Sequence, residues 1–176
     1  MEYHPLQRLP SPGRGISALV HTAGLISFSL SYKYLFDFPT FINDSYGWHL
    51  QYLTIIGLTI ACATFIIGLL ADITLSPKLF LMKNTLSLCS APLEVLVSVL
   101  YWGISAIDKT LLVPPEIHIS HWADVGFHAM PSILLTIDLL FLSPPWTIHG
   151  LPAMGLSSVL AVSYWAWVEQ CYKYNG

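Results

Sequence analysis

Apolar runs alternate along the chain with short stretches that are rich in proline, glycine and charged residues. Five of the runs hold about 20 residues each, the length that a helix rising 1.5 Å per residue needs to cross about 30 Å of hydrocarbon. The predicted spans are residues 16–36, 48–70, 86–107, 122–142 and 151–168. The pattern therefore predicts an all-α fold, a polytopic transmembrane helix bundle of about five spans.

The segments outside these runs are short. Residues 1–15 contain three prolines and two glycines, so they predict a polar N-terminal tail, and residues 169–176 predict a short C-terminal tail. The first run has no small-residue cleavage site at its end, which indicates a retained span and not a removed signal peptide. The chain is thus expected to form one membrane domain over residues 16–168.

Composition supports the membrane class and excludes several others. Hydrophobic residues make up 55% of the chain and charged residues only 10%. In soluble domains, charged residues make up about a quarter of the sequence. The net charge of −3 provides no basic patch for a nucleic acid. The three cysteines form no CxxC pair, so neither a disulfide framework nor a cysteine metal motif is expected.

Two polar residues are expected to lie at one depth in the membrane. Thr54 follows Trp48 by six residues, and His128 follows Trp122 by six residues. The second and fourth spans run in the same direction, and tryptophans favour the membrane interface, so both polar side chains are predicted about 9 Å below one interface. The basic residues that flank the spans weakly favour a cytosolic N-terminus.

This pair has the composition of a nucleophilic site. A threonine hydroxyl becomes a nucleophile when a base takes its proton, and a histidine within hydrogen-bond reach is such a base. Asp124 precedes His128 by one helical turn and is a candidate to orient the imidazole ring. Pro131 has no N–H for the carbonyl of Phe127, which leaves backbone polarity unsatisfied next to His128.

Each of these residues also has a structural interpretation. Threonines in transmembrane helices commonly donate to the carbonyl one turn earlier, which for Thr54 is that of Leu50. Asp124 is close enough to the end of its span to be a solvated carboxylate at the interface. An ionisable His128 inside a span is costly and therefore indicates function more strongly than Thr54 does alone.

Two other groupings of polar residues compete with the nucleophilic site. His121, Asp124 and His128 share one helical face and, with the nearby His118, have ligand types that bind a divalent metal. At the opposite leaflet, the predicted spans bring together His21, Glu94 and Asp138, which are the parts of a proton relay. The relay would suit a small proton-coupled carrier, although the five spans show no internal repeat.

Short motifs follow one another in a characteristic order between residues 46 and 172. They are Tyr46-Gly47, Tyr52-Leu53-Thr54, Trp102, Asp108-Lys109, Pro114, Trp122, Gly126, His128, Tyr164 and Trp167-Val168. In their order and spacing they resemble the androgen-induced gene family. That family consists of multispanning membrane proteins that act as threonine hydrolases on fatty acid esters of hydroxy fatty acids.

The resemblance implies a function and a site. The nucleophilic threonine of the family falls on Thr54, and its catalytic histidine falls on His128. The resemblance implies no organic cofactor and no metal. The expected partners are a fatty acyl ester and the bilayer, in the endoplasmic reticulum, other endomembranes or the plasma membrane. The family has a sixth span after the fifth, so this chain is expected to be truncated before it. The competing class is a non-enzymatic membrane scaffold.

Overall fold

A computed structural model describes residues 9–114, 117–145 and 150–176, with the side chains of residues 152 and 153 excepted. Within these residues the chain is helical and contains no strand, which confirms the all-α class. The α-helices are α1 (Ile16–Asp37), α2 (Leu53–Thr74), α3 (Pro77–Ile107), α4 (His121–His128), α5 (Met130–Ile137) and α6 (Gly150–Asn175).

Three helical stretches of the described chain are long and apolar enough to cross a membrane. They are Leu53–Thr74, Pro77–Ile107 and His121–Leu142. The last joins α4 and α5 to a π-helical turn, Asp138–Leu142. The first and fifth predicted spans lie within α1 and α6. The count of five spans stays a prediction.

Several helix ends differ from the predicted boundaries. The helix predicted from residue 48 begins only at Leu53, because Trp48–Gln51 forms a separate 3₁₀ turn and Tyr52 is extended. The third helix begins at Pro77, where the Ser76 side chain caps its first turn. The helix of the fifth predicted span, α6, continues to Asn175, so most of the predicted C-terminal tail is helical.

Helices α1 to α5 pack around a shared apolar core, with α2 against α3 as its most extensive contact. Phe28, Leu58, Phe65 and Leu135 are fully buried there. Gly57 and Ala61, one turn apart on α2, are buried too, and the carboxyl of Glu94 on α3 lies over Gly57. Many large apolar side chains remain exposed on the outside of the bundle, as lipid contact requires.

The close packing of α1 against α2 leads to a testable prediction at Gly24. A Cβ atom at this position would lie 2.3 Å from the Phe65 ring, so alanine forces that buried ring to move. We expect Gly24→Ala to lower the free energy of unfolding by about 1–3 kcal/mol, as overpacking does. Unfolding in detergent micelles measures this change.

The matched control for Gly24 is Gly103 in α3, where a Cβ atom would meet nothing within 4 Å. Alanine favours a helix over glycine by up to about 1 kcal/mol, so Gly103→Ala is expected to be neutral or stabilising. Equal destabilisation by both substitutions would contradict the packing of α1 on α2.

Candidate functional site

One end of the bundle holds a cavity of about 590 Å³, within the range of small-molecule sites. Its walls are formed by the C-terminal end of α1, the N-terminal end of α2, the C-terminal part of α3 and helix α4. The loop between α1 and α2 and the loop between α3 and α4 complete them. Thr54 and His128 both line it, together with Tyr101 and His49. The structure therefore brings the two predicted site residues to one cavity.

Only one of the two residues reaches the cavity by the route that equal spacing suggested. His128 follows Trp122 along the continuous helix α4, as expected. Thr54 is the second residue of α2, and the chain between it and Trp48 is a 3₁₀ turn followed by an extended residue. The rise of 1.5 Å per residue therefore applies to His128 and not to Thr54.

The Thr54 hydroxyl makes no hydrogen bond to the described part of the chain. Five other helical threonines donate to the carbonyl one turn earlier, namely Thr22, Thr59, Thr64, Thr74 and Thr85. The corresponding carbonyl for Thr54, that of Leu50, accepts instead from the Trp167 indole N–H at 3.0 Å. The structural interpretation of Thr54 as a back-bonded threonine is thus not what the structure shows.

His128 is held by the residue predicted to orient it. Its Nδ1 lies 3.1 Å from Asp124 Oδ1 and 3.1 Å from the Asp124 backbone carbonyl. Both partners are acceptors, so Nδ1 donates, and in the neutral ring Nε2 carries the lone pair. Asp124 is only 2% exposed, so its interpretation as a solvated interface carboxylate is wrong.

Two further residues complete this arrangement: Tyr101, which the sequence analysis did not name, and Lys109, which it named only as a motif residue. Tyr101 stacks on the His128 ring, with centroids 3.4 Å apart, and its hydroxyl donates to Asp124 Oδ1. Lys109 Nζ donates to Asp124 Oδ2 at 3.0 Å. The motif residues Trp102 and Asp108-Lys109 indicated this region, but gave no role to Lys109. The imidazole plane is thereby fixed by a stacked ring and by a carboxylate that is itself anchored twice.

The helix is interrupted between α4 and α5, next to His128 and two residues before Pro131. The helix stops at His128, and Ala129 departs from helical geometry before α5 begins. The His128 carbonyl accepts from the Trp102 indole N–H at 3.3 Å. An indole side chain thus hydrogen-bonds to this carbonyl, which is next to the Phe127 carbonyl that Pro131 leaves without an N–H partner.

His49, which also lines the cavity, lies in the 3₁₀ turn Trp48–Gln51, outside the membrane-crossing helix α2. Its Nε2 donates to Asn43 Oδ1 at 3.2 Å, and burial lowers its pKa below the ordinary value. His49 is thus neutral at neutral pH and adds no charge to the cavity. No sequence pattern pointed to it.

The alternative metal grouping is not assembled. Among the residues that the structure describes, no three His, Cys, Asp or Glu side chains are placed to hold a metal ion. His121 is exposed at the start of α4, whereas Asp124 and His128 turn into the bundle. His118 lies on the cavity wall, in the loop before α4.

The opposite end of the bundle contains a buried charged cluster that partly matches the predicted relay. His21 Nδ1 lies 2.6 Å from Asp72 Oδ2, and its Nε2 lies 3.2 Å from Asp138 Oδ1. Lys83 Nζ donates to Asp138 at 2.9 Å, and Ser87 donates to it at 2.9 Å. Each carboxylate is satisfied by several donors, which is typical of a structural network.

Glu94 does not join this cluster, contrary to the predicted grouping with His21 and Asp138. It is 1% exposed, and its Oε1 has no hydrogen-bond partner among the described residues. The carboxyl lies against Gly57, where a Cβ atom would be 2.4 Å from Oε1. The relay interpretation therefore loses one of its three members.

Comparisons with known proteins agree with this architecture. The model of the FAR-17a/AIG1-like protein family matches residues 16–176. The UPF0641 membrane protein PJ4664.05 of Schizosaccharomyces pombe is 34% identical over 168 residues, which cover 94% of this chain and 75% of that protein. No solved structure matches the chain. The family match extends over all the helices described above.

Proposed function

The chain belongs to the FAR-17a/AIG1-like family of membrane proteins, and from this premise we propose that it is a membrane lipid hydrolase. Its substrates are fatty acid esters of hydroxy fatty acids, as the motif resemblance implies. Thr54 is the nucleophile, His128 the general base and Asp124 the group that orients the base. The activity belongs in the endoplasmic reticulum, other endomembranes or the plasma membrane.

The observation that supports this proposal most is the chemical state of the two side chains. Thr54 presents a hydroxyl with no hydrogen bond to the described residues, and His128 has its Nδ1 occupied by Asp124. A histidine with one nitrogen held by a carboxylate offers the other nitrogen as a base. Both residues line one cavity, so the ester carbonyl is proposed to bind between them.

In the first half of the reaction, Thr54 Oγ1 attacks the ester carbonyl and His128 Nε2 accepts the hydroxyl proton. The tetrahedral intermediate collapses, the ester C–O bond breaks, and His128 returns the proton to the departing alkoxide. The products are a hydroxy fatty acid and an acyl group esterified to Thr54. Asp124 stabilises the imidazolium that forms in between.

In the second half, water replaces the departed alcohol. His128 takes a proton from that water, the resulting hydroxide adds to the acyl carbonyl, and the bond to Thr54 Oγ1 breaks. The proton passes to Thr54, which regenerates the hydroxyl and releases the fatty acid. No step requires a metal or an organic cofactor.

The backbone at Thr54 is a suitable donor for the oxyanion. Thr54 is the second residue of α2, so its N–H has no acceptor within that helix. The positive end of a 22-residue helix dipole lies at the same place. Donors of this kind stabilise the tetrahedral intermediates of acyl transfer.

The cavity walls match a fatty acyl ester in polarity. Apart from the site residues, much of the lining is apolar, including Phe38, Ile42, Ile119 and Phe127. Such walls favour an alkyl chain through burial of apolar surface. Thr54, His128 and Tyr101 provide polar groups among these apolar walls.

Replacing His128 tests the proposed function. We expect His128→Ala to lower kcat for ester hydrolysis by about 10²–10⁴-fold, because general-base catalysis contributes that much. The assay uses the full chain in proteoliposomes and a fatty acid ester of a hydroxy fatty acid.

His121→Ala is the control, because His121 is exposed and outside the proposed machinery. It is expected to keep the wild-type rate. Activity that disappears with His121 or with a chelator favours the metal grouping instead. Wild-type protein that neither hydrolyses the ester nor reacts with a fluorophosphonate probe supports the non-enzymatic scaffold.

A further inference from the structure

The C-terminal half of α6 binds the segment that precedes Thr54. The Tyr164 hydroxyl donates to the Gln51 carbonyl at 3.1 Å and accepts from the Leu53 N–H at 3.1 Å. The Trp167 indole N–H donates to the Leu50 carbonyl at 3.0 Å. Two side chains of α6 thus occupy three backbone groups immediately before Thr54.

If α2 began earlier in the chain, these backbone groups would form hydrogen bonds within the helix. The apolar pattern predicts a helix from residue 48, and each helical N–H bonds to the carbonyl four residues earlier. The internal pairs would be His49 O with Leu53 N–H, Leu50 O with Thr54 N–H, and Gln51 O with Ile55 N–H. In the structure, Ile55 N–H instead bonds to the Tyr52 carbonyl at 3.1 Å.

The backbone before α2 is held out of helical geometry at both ends of the 3₁₀ turn. Gly47 and Trp48 have positive φ values of 87° and 48°, and Tyr52 is extended. A side chain on Gly47 would place its Cβ 2.6 Å from Cys171 Sγ of α6. Left-handed geometry at a tryptophan costs energy, so surrounding contacts must maintain it.

We propose that Tyr164 and Trp167 are positioning residues that prevent α2 from starting before Leu53 and so keep the Thr54 hydroxyl free. In a longer helix, Thr54 Oγ1 would donate to the Leu50 carbonyl, as five other threonines of this chain do with theirs. That bond would engage the proton that a base must remove. The inference rests on the proposed role of Thr54 as nucleophile.

Two readouts test this role, one kinetic and one independent of catalysis. The variant Trp167→Phe removes the indole N–H and Tyr164→Phe removes the hydroxyl, and each keeps an aromatic ring at its position. We expect each to slow fluorophosphonate reaction at saturating probe by about tenfold, with the half-saturating probe concentration unchanged. Hydrogen exchange of the Thr54 amide is expected to become slower, because that N–H gains the Leu50 carbonyl.

Trp165→Phe and Tyr174→Phe are the matched controls on the same helix. Trp165 is exposed, and Tyr174 stacks on Tyr46 and does not touch residues 50–53 through its hydroxyl. Both controls should keep the wild-type rates of labelling and exchange.

Faster exchange at Thr54 in the two variants would overturn the proposal, because it would mean that α6 only supports local structure. Labelling of both variants at the wild-type rate would overturn it as well. If wild-type protein is not labelled at all, the proposed function fails, whereas slower Thr54 exchange in the variants would still establish that α6 sets the start of α2.

Discussion

Thr54→Ala is expected to abolish ester hydrolysis, with kcat at least about 10⁴-fold below wild type. The alanine removes the only atom proposed to bond to the acyl carbon, so no acyl intermediate forms. Membrane insertion should be unchanged, because the hydroxyl makes no hydrogen bond that holds the described fold. Hydrolysis of a fatty acid ester of a hydroxy fatty acid by the full chain in proteoliposomes measures the effect.

The control for Thr54 lies at the other end of the same helix. The Thr74 hydroxyl is exposed and donates to the Leu70 carbonyl, so Thr74→Ala is expected to keep full activity. Thr54→Ser retains a hydroxyl at the same place and is expected to keep a measurable fraction of the rate. Full activity in Thr54→Ala would move the nucleophile elsewhere.

The second large effect is expected on stability, at Asp138. Both of its oxygens accept from Lys83 Nζ, at 2.9 and 3.1 Å, and neither side chain is exposed. Asp138→Asn leaves the buried ammonium without its counter-charge, which costs about 3–5 kcal/mol. We therefore expect a lower free energy of unfolding in mixed detergent micelles, of that size.

An ion pair at the surface provides the comparison. Lys33 pairs with Asp37 one turn later on α1, with 65% and 45% of the two side chains exposed. Lys33→Met is expected to cost less than about 1 kcal/mol, because water screens such pairs. If Asp138→Asn cost no more than Lys33→Met, the buried cluster would not hold this end of the bundle together.

Much of this architecture is predictable because membrane helices leave a strong signal. Apolar runs of the required length place α2 and the His121–Leu142 stretch, and the order of the spans puts Thr54 and His128 at one end. The i, i+4 spacing of Asp124 and His128 predicts the contact that the structure shows at 3.1 Å. These features depend on local periodicity, which the sequence carries directly.

The rest depends on contacts between distant residues. The start of α2 is set by Tyr164 and Trp167, more than 100 positions later, so no pattern near residue 48 reveals it. Lys83 is expected in a loop at the membrane edge, yet it is fully buried against Asp138. Tyr101 contributes by stacking on His128, which an apolar run containing a tyrosine does not indicate.

The most direct test of the account is to find the residue that forms a covalent bond during turnover. The full chain in proteoliposomes is reacted with an alkyl fluorophosphonate, digested, and its modified peptide sequenced by mass spectrometry. The proposed mechanism at Thr54 predicts one adduct per chain, on Thr54, and none in His128→Ala over the same time. An adduct on another residue with Thr54 unmodified, or hydrolysis that continues in Thr54→Ala, would contradict it.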